Sequence, residues 1–91
     1  MYSAELKIPG GKLIRVKFSK REDKISDIMI SGDFFLHPED GIEELERRLT
    51  GAKIDWKVLQ DIIGNFFNEE STLIGAKPKD IIMAILLAKN D

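Results

Sequence analysis

The spacing of apolar residues changes period once along this chain, and that change limits the possible folds more than any other feature. Up to residue 31 apolar positions recur every second residue, and from about residue 40 they recur at intervals of three and four. A period of two fits strands with one buried face, whereas intervals of three and four fit amphipathic helices. Strands first and helices after argue for an α+β fold in which helices cover one face of an antiparallel sheet.

Within the first third, Ala4, Leu6 and Ile8 alternate with Glu5 and Lys7, and Pro9-Gly10-Gly11 supplies a turn. Ile14, Val16 and Phe18 then alternate with Arg15, Lys17 and Ser19, giving a half-buried strand. Arg21-Glu22-Asp23 forms a second turn without glycine, and Ile28 and Ile30 continue a third strand with Asp27 and Met29 facing away. Ile25 is out of phase with Ile28, which calls for a bulge or a strand start there. The expectation is a three-stranded antiparallel meander over about 4–31.

Three helices are expected next, over about 40–50, 55–68 and 77–89. Asp40 followed by Glu43 resembles a capping box, Ile42, Leu45 and Leu49 form the inward stripe, and Gly51 ends the helix. Asp55 can cap the second helix, whose stripe is Trp56, Leu59, Ile62, Ile63, Phe66 and Phe67, interrupted by Gly64. Pro78 suits the first turn of the third, with Ile81, Ile82, Ile85 and Leu86 inward. A chain of 91 residues accommodates one domain, 1–91.

Composition removes several functions. Without cysteine there is no disulfide, thiolate nucleophile or iron–sulfur ligation, and a single histidine, His37, leaves too few soft ligands for zinc. No apolar run approaches the ~20 residues of a membrane span, and the first residues lack the pattern of a secretion signal; the expected setting is cytoplasmic, with no membrane partner. No phosphate-binding loop or Ser-His-Asp set is present. Gly10-Gly11-Lys12 reads as a hairpin tip before it reads as a phosphate loop, and Glu43, Glu44 and Glu46 read as a wet helix face. No catalytic residue and no metal ligand set is assigned.

Charge is uneven: residues 1–24 carry +4 and residues 25–91 carry −6. Lys12, Arg15 and Lys17 are therefore candidates to face a nucleotide or an acidic partner, against the plainer reading of a solvated strand face. Gly32-Asp33-Phe34-Phe35 is the other candidate segment. Glycine allows a sharp turn there, aspartate can bond backbone amides, and adjacent phenylalanines either share the core or leave one exposed as a partner anchor.

In order and spacing, several segments resemble one family. Gly10-Gly11-Lys12-Leu13-Ile14-Arg15-Val16 is similar to the first hairpin of the accessory C-terminal domain of lipoate–protein ligases. Ile25 to Phe35 resembles that family's glycine–aspartate–phenylalanine segment. Ile42 to Gly51, Asp55 and Leu73-Ile74-Gly75 resemble the elements that follow, so the likeness spans roughly 5–86. The glycine-free turn at Arg21-Glu22-Asp23 departs from the family, where glycine is frequent.

The resemblance implies the following expectations. The large domain of such ligases uses ATP and Mg²⁺ to form lipoyl-adenylate and passes the lipoyl group to a lysine of an acceptor domain, while the small domain assists adenylation. A chain that starts with methionine and holds only the small domain resembles the separate subunit of a split ligase, with a catalytic subunit as its partner. ATP, Mg²⁺ and lipoate then belong to the complex, lipoyl acceptor domains are met indirectly, and this chain alone binds no cofactor. The fold also resembles the iron–sulfur scaffold and sulfur-acceptor proteins, whose functions require thiolates that are missing here. Two other readings stand beside these: a non-enzymatic adaptor anchored by Phe34-Phe35, and a nucleic-acid-binding module using the basic hairpin. The second is opposed by the net charge of −2 and by Tyr2 and Phe18 forming no exposed aromatic row.

Overall fold

The computed structural model describes residues 1–10, 12–38, 40–68 and 72–89. Three strands come first: β1 (Tyr2–Ile8), β2 (Lys12–Arg21) and β3 (Lys24–Gly32) pair antiparallel in the order β1-β2-β3. Alternation decides their faces. Ile14, Val16 and Phe18 of β2 are buried, as are Ile28 and Ile30 of β3, while Ala4, Leu6 and Ile8 of β1 are half-buried. Gly11, part of the expected first turn, lies outside the described residues; Gly10 beside it has φ 105°.

The phase break at Ile25 is a β-bulge. Ser19 faces Asp27 but Lys20 faces Ile25, so Ser26 has no partner and Ile25 turns inward with Ile28. At the β2–β3 turn Glu22 takes φ 59°, a left-handed conformation that costs a side-chain-bearing residue about 1 kcal/mol or more.

The helices follow on the inner face: α1 (Gly41–Leu49), α2 (Trp56–Asn68) and α3 (Pro78–Lys89). Helix α3 lies over β1 and β2, α1 lies over β3, and α2 packs on both helices. Leu45, Leu49, Leu59, Ile63, Phe66, Ile81, Ile82 and Ile85 meet the sheet residues in one core. Trp56, expected inward, is 45% exposed; as the first residue of α2 it precedes the turn that reaches the core.

The helix starts differ. Asp55 caps α2 as expected, its carboxylate accepting the N–H groups of Lys57 and Val58 at 3.2 and 3.3 Å. Before α3, Asp80 reaches back to the Lys77 N–H at 2.9 Å. Asp40 does not cap α1: its backbone is at φ −82°, ψ 2°, and its side chain makes no capping bond. A turn from the Gly41 N–H to the Pro38 carbonyl starts this helix instead. After Leu49 the chain passes Gly51 at φ 89° in the expected helix-ending position.

The glutamates of α1 divide their work. Glu44 accepts from Arg47 and Arg48 on the surface, and the Arg47 and Arg48 hydrogen bonds lower its carboxyl from 4.5 to about 2. Glu46, expected on the wet face, instead accepts the Ile30 N–H at 2.8 Å. Its neighbours complete the closure of the outer edge of β3. Ile25 N–H donates to Ala52, Gly51 N–H to Ile25, and Ile54 N–H to Asp23.

Two short strands were not expected: β4 (Phe35–His37) and β5 (Thr72–Ile74) form a separate antiparallel ribbon. Three residues each are too few to show alternation. His37 is thus exposed at the end of β4, before a cis bond to Pro38.

Candidate functional site

Parity along β2 separates the three basic candidates. Arg15 and Lys17 are out of phase with the core residues, so they project from the helix-free face of the sheet. There they border a concavity of about 460 Å³ with Glu5, Met29 and Ser31. Arg15 is engaged by Glu5 of β1 at 3.7 Å, both side chains being mostly solvated, so this pair contributes little. Met29 is 65% exposed on the same face.

Lys12 is in phase with Ile14 but lies at the start of the strand, past the end of the core. Its side chain runs over the β5–α3 loop: a Cβ on Gly75 would stand 3.6 Å from Lys12 Cε and 3.6 Å from Phe34 Cα. Lys12 therefore joins the Gly32–Phe35 segment, and Arg15 and Lys17 do not. With Gly10, Gly32, Asp33, Phe34 and Phe35 it lines an open depression of about 480 Å³ at one end of the sheet. Among the described residues, no carboxylate lies within ion-pair distance of Lys12 or Lys17.

Gly32 holds this end together. Its φ is 153°, and a Cβ there would run into the Leu13 carbonyl oxygen and press on the Phe34 ring. That same carbonyl accepts the Asp33 N–H at 2.9 Å. Asp33 is thus fixed through its backbone; among the described residues its carboxylate accepts no hydrogen bond. The two phenylalanines separate. Phe34, just before β4, packs on the core, and Phe35, the first residue of β4, is 70% exposed.

Sequence reasoning missed Ile74 as a member of this end. It sits directly opposite Phe35 in the β4–β5 ribbon and is 57% exposed, so the two form an apolar cross-strand pair facing solvent. The available signal was a β-branched residue directly before Gly75, in a stretch too short to reveal a strand. Elsewhere, Phe18 is fully buried and stacks on Tyr2 at 5.5 Å, which leaves no exposed aromatic row for bases. Among the described residues no three His, Asp or Glu side chains converge as a cation site, and no helix is long and apolar enough to cross a membrane.

Known proteins resemble the whole arrangement. A curated relative from Thermoplasma acidophilum, "Lipoate-protein ligase A subunit 2", is 44% identical over 85 residues, spanning 93% of this chain and 87% of the relative. A solved structure from the same organism, described as an archaeal lipoylation system with a bi-partite lipoate protein ligase and its E2 lipoyl domain, superposes with a TM-score of 0.84. It is 42% identical and covers 93% of each chain. Residues 1–85 match the family described as the bacterial lipoate protein ligase C-terminus; with near-complete coverage in all three comparisons, the chain belongs to that family.

Proposed function

We propose that this chain is the accessory subunit of an ATP-dependent lipoate–protein ligase, working with a separate catalytic chain to convert lipoate to lipoyl-AMP before transfer to an acceptor lysine. The observation that carries this reading is the near-full-length likeness to a relative named as a second ligase subunit. The one histidine is exposed on β4. A magnesium ion accompanying ATP would take its ligands from the nucleotide and the catalytic chain.

In adenylation the lipoate carboxylate attacks the α-phosphorus and pyrophosphate leaves, with negative charge growing at phosphorus. Positioning and preorganised positive charge lower that barrier, and excluding water protects the mixed anhydride. We assign the Lys12–Phe35 end to contact with the catalytic chain: Phe35 and Ile74 offer apolar anchor surface, and Lys12 a cation with no ion-pair partner among the described residues. Lys17 and the Glu5-engaged Arg15 lie on a different face.

The test is pyrophosphate release from ATP and lipoate by the catalytic chain, with and without this one. Release is expected only with both, and equal rates without this chain refute the reading. The double change Lys12→Ala and Phe35→Ser is expected to weaken association at least ~10-fold without changing the melting temperature, because both side chains are solvent-facing.

A further inference from the structure

The two edges of the main sheet are treated differently. The β3 edge is closed by two backbone bonds between Ile25 and the α1–α2 connection, by a third from that connection to Asp23 just before the strand, and by Glu46. Among the described residues, the outer edge of β1 has no such cover: all seven residues of the strand pair with β2 alone. An uncovered strand of this length is a template for another strand.

We propose that β1 pairs antiparallel with β1 of a second copy, joining two sheets edge to edge. The sequence of the strand selects the register. Centring the two-fold axis on Leu6 sets Glu5 opposite Lys7 of the other copy, and Lys7 opposite its Glu5. On the inner face Ala4 then meets Ile8, and Leu6 meets Leu6. Shifting the axis one residue back sets Glu5 against Glu5, and one residue forward sets Lys7 against Lys7. Like charges directly opposite disfavour both shifts. Each Glu5 would then lie between Arg15 of its own β2, 3.7 Å away, and Lys7 of its mate, so charges alternate across the junction.

The inner face fits the same arrangement. Ala4, Leu6 and Ile8 are only half-buried, and a neighbouring strand would complete their cover. The two-fold axis stands perpendicular to the joined sheet, so both helix layers fall on one side. The helix over β1 is α3, and its Met83 and Leu87 are 48% and 45% exposed, apolar surface for the two α3 helices to share. The interface is isologous and closes at two copies. This proposal concerns β1 and is independent of the ligase reading, which uses the Lys12–Phe35 end.

The test is sedimentation equilibrium of the full chain over a wide concentration range, with circular dichroism verifying the fold of each variant. The unmodified chain is expected to show a monomer–dimer equilibrium. Lys7→Glu and Glu5→Lys should each weaken it about 30-fold, since two cross-strand pairs per dimer turn from attractive to repulsive. Mixing the two variants should restore pairing, because every opposed pair is then again of opposite sign. A chain that is monomeric even at high micromolar concentration overturns the proposal. So does a mixture that pairs no better than its components. If the unmodified chain is monomeric and these changes weaken only binding to a catalytic chain, the edge belongs to that complex and the self-pairing is refuted.

Discussion

Replacing Gly32 with alanine isolates a steric demand at the end of the sheet. The residue has φ 153°, and the obstacle to a Cβ is the Leu13 carbonyl oxygen, a backbone atom in a paired strand that has little room to yield. Strain at a position open mainly to glycine costs about 1–3 kcal/mol. Relieving the collision also loosens the 2.9 Å bond from the Asp33 N–H to that carbonyl, adding about 1 kcal/mol. Together these give ~2–4 kcal/mol, out of a total stability of roughly 5–14 kcal/mol for a chain of this length. At about 4–8 °C per kcal/mol, the melting temperature should fall by ~10–30 °C. Gly64 provides the matched control. It lies inside α2 without a left-handed backbone, and a Cβ there meets nothing within 4 Å. Gly64→Ala should therefore gain about 0.5–1 kcal/mol and raise the midpoint by ~2–8 °C. Thermal melts followed by circular dichroism read both. A Gly32→Ala midpoint within ~2 °C of the parent, or shifts of the same sign in both variants, would show that the carbonyl collision is not what requires glycine.

Two further outcomes follow from α1. Glu46→Ala leaves the Ile30 N–H without its carboxylate and should cost about 1–3 kcal/mol in urea unfolding, with Glu46→Gln recovering part of it; equal midpoints for all three proteins would contradict a structural role for this bond. The Glu44 carboxyl is held at about 2 against an ordinary 4.5, so its stabilising effect is present above pH ~4.5 and disappears as pH falls towards ~2. Glu44→Gln should lower the melting temperature slightly at neutral pH and converge with the parent as pH falls towards ~2, flattening the acid limb in that window, and added salt should shrink the difference because the group is solvated. An acid limb as steep as the parent's would exclude this linkage.

The main sheet was legible because its signals are repetitive. Ile14, Val16 and Phe18 declare a face, and the single misfit at Ile25 calls for a bulge or a strand start, between which the register decides for the bulge. Asp55 and Pro78 marked helix starts through local chemistry. Asp40 failed as a cap because its backbone is set by the preceding turn at Pro38, a constraint that residue type does not reveal. The β4–β5 ribbon and the bond from Glu46 to Ile30 depend on residues brought together only by the fold. At the candidate site, grouping Lys12 with Arg15 and Lys17 by charge was less informative than strand parity, which already divides them. For Phe34 and Phe35 residue type favours joint burial somewhat over a divided arrangement, and the structure divides them: Phe34 packs on the core and Phe35 faces solvent at the start of β4.

The closure of β3 by the segment after α1 has a consequence for how the molecule opens. Ile25 shares hydrogen bonds with Gly51 and Ala52, and Asp23 with Ile54, so the meander is completed by residues that arrive only after a whole helix has been laid down. The third strand cannot fray outward while α1 stays docked, and α1 cannot leave without uncovering that strand. Sheet and first helix are thereby tied into one cooperative unit.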